Sequence, residues 1–267
     1  MIKLIITDLD GTFLDPASQF DEAYYVKVRK LMQAQQVAFA PCTGKQSERV
    51  EELFANVGAD DLWILGDSAS RIKHQGTFVY ESLLPNQTAL AIIRKLRSLH
   101  QDYGIIARTD NTAYIAADTP ENCREKIQGS YTNVTEIDDY QEITDDFVKI
   151  TLYDPYERAF TIRPQLAEFD DRAYIVASEA AWIDITDHNV HKGTTVAKLQ
   201  QLLGVTPAET MVFGDGYNDL ELMTCGEFSF AMRNGFPETK AAARYICGSN
   251  AENAVLQTIE QLLSLQG

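Results

Sequence analysis

Short apolar runs and apolar residues at helical spacing take turns along this chain. Ile2 to Ile6, Val37 to Ala40, Leu62 to Leu65, Met211 to Phe213 and Phe228 to Ala231 are compact hydrophobic segments that predict buried strands. Between them, Tyr25, Val28, Leu31 and Met32 mark one helix face, and Asp21 and Glu22 supply the acidity that suits its N-terminal dipole. Val196, Leu199, Leu202 and Leu203 mark a second face, and Val255, Ile259, Leu262 and Leu263 a third. A glutamate-rich helix follows Thr43-Gly44, another helix is expected near Asn218, and a short one after Pro237, ahead of a strand at Tyr245 to Cys247. Arg71 to Tyr80 predicts a hairpin around Gln75-Gly76.

From about residue 83 to 187 the texture changes. Leu83-Leu84-Pro85-Asn86 breaks the pattern and opens a helix bearing Leu90, Ile93, Leu96 and Leu99. Strands at Gly104 to Arg108 and Thr112 to Ala116 flank the turn Thr109-Asp110-Asn111; Phe147 to Tyr153 and Ala173 to Ala177 predict two more. Glu121 to Gln128 and Pro155 to Leu166 are its expected helices. The fold class is therefore α/β: residues 1–82 and 188–267 form a Rossmann-like, mainly parallel sheet core, and 83–187 form an inserted α+β cap domain.

Size supports two domains, because single cores commonly split at about 250 to 300 residues; this chain has 267. No apolar run approaches the roughly 18 residues that span a bilayer, so membrane partners are not expected. No signal peptide is apparent, which makes the cytoplasm the default location. Cys42, Cys123, Cys225 and Cys247 are scattered and read as packed thiols rather than as zinc or redox sites. A net charge of −16 argues against nucleic acid. Oligomeric state is not encoded in any pattern here. Asp138, Asp139, Asp145 and Asp146 read as solvated loop acids.

Polar clusters end three of the predicted strands: Asp8 with Asp10, Thr43 with Gly44, and Asp215 with Asn218 and Asp219. Ligands bind outside the carboxyl ends of strands in open α/β sheets, so these clusters can meet. Strand alternation would aim Asp8 and Asp10 at one reacting atom while Gly11 turns the chain behind them. Taken alone, the five letters DLDGT also fit a solvated turn. Lys192, at a helix start, opposes the macrodipole unless an anion lies near; by itself it also fits an exposed lysine. Several carboxylates facing a phosphate call for a hard divalent cation, and Mg²⁺ suits carboxylate, water and phosphate oxygens. Without it, carboxylate and phosphate at about 4 Å would repel by roughly 4 kcal/mol at an effective dielectric of 20.

The chain resembles the haloacid dehalogenase superfamily, and its layout is similar to the Cof-type phosphatases with a class IIB cap. DLDGT at Asp8 to Thr12, Thr43-Gly44, Lys192-Gly193 and GDGYNDLELM at Gly214 to Met223 carry that resemblance, in order and with the family's spacing. It implies that Asp8 is the nucleophile and Asp10 the general acid and base. It also implies a Mg²⁺ site made by Asp8, the Asp10 carbonyl and Asp215, with Asp219 in support. Phosphate would be held by Thr43, the backbone around Leu9 and Gly44, Lys192 and Asn218. The implied activity is hydrolysis of small phosphate monoesters, such as sugar phosphates, through an aspartyl-phosphate. A phosphomutase of the same superfamily and, further off, a phospho-acceptor signalling protein are the alternatives.

Departures from the family pattern fall around this set. Lys45 follows Thr43-Gly44 where arginine is common, replacing a fork of donors by a point charge. Gly66-Asp67-Ser68-Ala69 stands where relatives tend to have Asn-Gly-Ala, and Asn250 to Ala254 replaces an acidic-Gly stretch. His188 and His191 read as loop residues, and Gly214-Asp215-Gly216 lacks the third glycine of a dinucleotide site. Trp63 and Trp182 read as core.

Overall fold

The structure is a computed structural model and describes residues 1–58 and 60–266. Strands β1 (Leu4–Thr7), β2 (Ala38–Pro41), β3 (Trp63–Gly66), β4 (Arg71–His74) and β5 (Thr77–Glu81) come first. The insert carries β6 (Gly104–Arg108), β7 (Ala113–Ala116), β8 (Val134–Ile137), β9 (Lys149–Tyr153), β10 (Ala173–Glu179) and β11 (Trp182–Asp187). Then follow β12 (Thr210–Gly214), β13 (Phe228–Ala231) and β14 (Tyr245–Ile246).

Five strands make a wholly parallel sheet in the order β14-β13-β12-β1-β2. Alternation along β1 divides its side chains between two cores. Ile5 joins Met211, Phe213, Tyr25, Val28, Met32, Ile259 and Leu263 on one face. Leu4 and Ile6 join Val212, Val196 and Leu199 on the other. With helices on both faces, every position of the central strands β1 and β12 is buried, which is why they read as apolar runs. The helix Glu22–Ala34 begins where expected, and Asp21 Oδ1 accepts the Tyr24 amide at 2.8 Å.

Strand β3 is not a full member of this sheet. It touches β2 through a single parallel bridge, Cys42 to Leu65, and pairs antiparallel with β4, which pairs with β5 around the left-handed Gln75 and Gly76. Other expectations also shift. No regular helix starts near Asn218: two single turns, Tyr217–Asp219 and Leu222–Thr224, take its place. There the Asp219 carboxylate captures the amides of Asp215 and Gly216, tightening the chain. Pro155 to Leu166 is a four-residue helix, Ala159–Ile162, running into a 3₁₀ stretch, Arg163–Phe169, because Pro164 lacks the amide that an α-ladder needs. Leu202 is exposed, so the helix Lys192–Leu203 buries Val196 and Leu199 without it.

The insert builds a six-stranded sheet ordered β10-β11-β9-β6-β7-β8, antiparallel except for β7 with β8. Two of these strands, β8 and β11, are absent from the sequence reading; β8 is an edge strand, and β11 lies between β10 and β9. One face is apolar: Ile105, Ile150, Leu152, Ile175, Ile183 and Ile185 pack on Ile92, Ile93 and Leu96 of the helix Asn86–Leu99. The alternate positions, Arg108, Lys149, Thr151, Ser178 and Asp184, are polar yet buried, because that face meets the strand ends of the parallel sheet. Contacts across this seam include Arg108 with Glu48 at 3.5 Å and the Thr132 amide with Gln46 Oε1 at 2.8 Å. No helix among the described residues is long and apolar enough to cross a membrane.

Candidate active site

Pairing of β1 with β12 continues one residue past the strand, the Asp8 amide donating to Phe213 O at 3.0 Å. Asp8 therefore leaves the sheet edge in a fixed direction and Asp10 does not share it. Asp10 lies in the turn Leu9–Phe13, where Gly11 adopts φ +78°, so the turn rather than strand alternation aims it. Only glycine serves at position 11. A Cβ there would lie 2.4 Å from Asp215 Oδ2, and its φ is unfavourable for other residues. This close approach brings the β1 and β12 loops together, and Thr12 Oγ1 donates to Asp215 Oδ1 at 2.5 Å.

Behind the two loops lies a buried charge cluster. Lys192 Nζ is 2.6 Å from both Asp8 Oδ1 and Asp219 Oδ1. Asp219 Oδ2 accepts the Asp215 and Gly216 amides at 2.9 Å each, so both of its oxygens are taken. Burial, partly opposed by Lys192, pushes the Asp8 carboxyl well above its usual range, with Asp219 and Asp215 adding repulsion. Burial and then Asp219 push Asp215 up to about 7. Lys192 stays charged: burial disfavours its ammonium, but Asp219 and Asp8 more than compensate. Replacing Lys192 by methionine should cost about 3–5 kcal/mol of folding stability, since it strands two buried carboxylates without their cation. Urea unfolding measures this, and a loss under 1 kcal/mol would show that the pair is not held by Lys192.

One oxygen from each of Asp8, Asp215 and Asp219 falls within 4.8 Å of the others, an acidic group able to hold a metal. Three carboxylates face one ammonium, which leaves excess negative charge in a desolvated place. No described residue donates to the second oxygen of Asp8 or of Asp215. An all-oxygen donor set with spare anionic oxygens and net negative charge fits a hard divalent cation. Asp219, with both oxygens bonded, fits a supporting place behind it.

These loops open onto a cavity of about 730 Å³ between the parallel sheet and the insert. Asp8, Asp10, Thr43, Gly44, Asp215 and Asn218 line it. Lys192 and Asp219 stand behind its wall, and the Leu9 side chain is buried in the core, leaving only its backbone at the loop. Asp10 reaches outward, 43% of its side chain exposed, and lies 2.7 Å from Lys45 Nζ. The lysine that replaces the common arginine thus contacts the expected acid. From the insert come Lys126, Tyr131, Lys149, Glu179, Trp182 and Asp184. Burial, Asp10 and Asp184 push the Glu179 carboxyl upward. Trp182 is half-buried, packed with Tyr153 against the cluster of Ile106, Ile115 and Ile127 while it also borders the cavity. An insert covering the core is expected from the sequence, but these roof residues are not singled out, although Lys149-Ile150-Thr151-Leu152 and Trp182-Ile183-Asp184-Ile185 alternate in a way that marks one polar sheet face.

A parallel sheet with an acidic cavity at its strand ends, roofed by an inserted mixed sheet, defines a capped α/β enzyme. The chain belongs to the haloacid dehalogenase-like hydrolases, whose family profile matches residues 5–259. It is a Cof-type phosphatase, a phosphoric monoester hydrolase. The 5-amino-6-(5-phospho-D-ribitylamino)uracil phosphatase YbjI of Escherichia coli is 28% identical over 263 residues, spanning 98% of this chain and 96% of that protein. The crystal structure of SMU.1108c from Streptococcus mutans superposes with a TM-score of 0.93 at 25% identity, covering 99% of this chain and 100% of that one. The subclass IIB sugar phosphatase BT4131 shares the fold, with a TM-score of 0.80 at 16% identity over 97% of this chain and 98% of that one.

Proposed function

We propose that the protein is a Mg²⁺-dependent phosphatase of small phosphate monoesters, sugar phosphates or metabolites of similar size, working through an aspartyl-phosphate on Asp8. The observation that carries this reading is the Asp8 carboxylate: one oxygen is fixed by Lys192, and no described residue donates to the other at the cavity wall. In this reading residues 1–82 and 188–267 are the catalytic core, and 83–187 the cap that covers the ester. Four free cysteines would stay thiols in the cytoplasm, the compartment we propose.

Asp8 attacks phosphorus, the ester oxygen departs, and Asp10 donates a proton to it. Asp10 then takes a proton from water as that water attacks the phosphorus of the aspartyl-phosphate, which releases inorganic phosphate and restores Asp8. Thr43, Asn218, Lys192 and the amides near Leu9 and Gly44 hold the transferring group, so that positioning and charge neutralisation supply most of the acceleration. Asp8, the Asp10 carbonyl and Asp215 would hold Mg²⁺, which neutralises charge on the phosphoryl oxygens when bound.

The YbjI name describes an ester whose phosphate sits at the end of a ribityl chain on a uracil ring. A cavity of about 730 Å³ bordered by Trp182 and Tyr131 accommodates a ring-bearing ester of that size, so it belongs among the compounds tested. The test is release of inorganic phosphate from a panel of sugar phosphates, that ribityl ester and an aryl phosphate, with Mg²⁺ and with chelator. Release that needs Mg²⁺ is expected, and transfer of phosphate to a second hydroxyl without release would indicate a mutase instead. Asp215→Asn should weaken Mg²⁺ at least tenfold by calorimetry, since it removes an anionic oxygen ligand. Unchanged affinity would remove Asp215 from the metal site.

A further inference from the structure

The buried roof of the cavity contains a lysine that the reaction above does not use. Lys149 is 2% exposed, on the polar face of β9. Its ammonium has three donors, and all three are placed: on Gly44 O at 2.8 Å, Ser68 Oγ at 3.1 Å and Asp184 Oδ1 at 3.2 Å. It therefore has no donor left for a substrate, although it borders the cavity. Asp184 also accepts from Ser68 Oγ at 2.9 Å, Thr151 Oγ1 at 3.3 Å and Ser178 Oγ at 3.2 Å. Such a fully bonded pair is a rigid clasp, joining two strands of the insert to the loop that carries Thr43.

The Gly44 carbonyl belongs to the same peptide as the Lys45 amide, and all described peptides are trans, so the two groups point in opposite directions. While Lys149 holds the carbonyl from above, the Lys45 amide donates to Thr43 Oγ1 at 3.2 Å. That bond fills one lone pair of the hydroxyl, and its own proton goes to no described residue. Thr43 lines the cavity. The neighbouring carbonyls are held from another side: Thr43 O accepts the Ser68 amide at 3.1 Å, and Lys45 O accepts the Asp67 amide at 2.8 Å. Of these three carbonyls, only that of Gly44 is addressed from the insert among the described residues. Asp67, Ser68 and Ala69 all adopt left-handed backbone, φ 54°, 59° and 64°, a costly run for residues other than glycine that puts Ser68 Oγ in the clasp.

We infer that Lys149 is a positioning residue: from the cap, it fixes the Gly44–Lys45 peptide and so aims the Thr43 hydroxyl at the phosphate. This rests on Thr43 being a phosphate ligand, as proposed above. Closure of the insert then improves phosphate recognition without adding a cap residue to the phosphate itself.

Calorimetric titration of inorganic phosphate with saturating Mg²⁺ tests it on the whole protein. Lys149→Met alone leaves Asp184 buried without a cation, so Lys149→Met with Asp184→Asn is used beside it; this pair keeps an acceptor for the hydroxyls and no unpaired buried charge. The paired variant should bind phosphate roughly tenfold more weakly, the loss of a misaligned charge-assisted hydrogen bond. Introduced into Thr43→Val, the same pair should weaken binding by less than about twofold, because the hydroxyl it acts on is gone. Equal weakening in both backgrounds, or none in either, overturns the inference. Failure of the unaltered protein to bind phosphate would instead overturn the phosphate assignment, and the inference with it.

Discussion

Asp8→Asn abolishes turnover of every phosphate ester, by on the order of 10⁴-fold or more, the scale on which loss of a nucleophile acts. The amide cannot form the acyl-phosphate, whatever the leaving group. The folded state should tolerate the change. Burial pushes the Asp8 carboxyl upward, so its charge opposes folding when no cation is bound, and a neutral amide removes one of three clustered negatives. Lys192 keeps Asp219 as a partner at 2.6 Å. The melting temperature without metal should therefore hold or rise while activity disappears. Loss of activity together with a collapse in melting temperature would mean that Asp8 is structural, and residual turnover within tenfold of the unaltered protein would mean that another group attacks.

Asp10→Asn should divide esters by leaving group. Asp10 faces the cavity and contacts Lys45, an ion pair exposed enough that losing it costs at most about 1 kcal/mol of stability. Its proton matters where an alkoxide must leave, and general-acid catalysis is worth about 10²–10⁴-fold there. An activated aryl oxygen departs without help. First-turnover rates measured by rapid mixing should fall by about 10²–10⁴-fold for a sugar phosphate and by less than about tenfold for an aryl phosphate. With water no longer activated, the aryl ester should give a burst of phenol followed by slow release of phosphate. If both esters slow by the same factor in the first turnover, Asp10 has no acid role.

What the sequence reveals and what it hides follow from the same physics. Leu4 to Ile6, Phe39 to Ala40 and Met211 to Phe213 are buried on both faces, so they stand out as apolar runs, and the polar residues that follow them mark the candidate site. That is how Asp8, Thr43 and Asp215 could be found without coordinates. The roof escaped because β11 carries Trp182, Asp184 and Thr186 on a face buried against polar loops, a pattern that reads as solvent exposure or a linker. Nothing local says that Lys149 reaches Gly44, which is 105 residues away in the chain. Lys45 is a comparable case: its identity is plain, but only the turn at Gly11 brings Asp10 within 2.7 Å of it. Conversely, the helix expected near Asn218 fails because the Asp219 side chain competes for local amides, and no apolar spacing reports such competition.

A covalent phosphoryl group on Asp8 can be trapped when its hydrolysis is slowed. Asp10→Asn protein is mixed with Mg²⁺ and an activated aryl phosphate carrying labelled phosphorus, quenched in acid within milliseconds, digested and mapped. Acid-stable, hydroxylamine-labile label approaching one phosphate per chain is expected on the peptide containing Asp8, with none in an Asp8→Asn control. Label on another residue, or phenol release with no protein-bound phosphate at any quench time, would contradict an aspartyl-phosphate on Asp8.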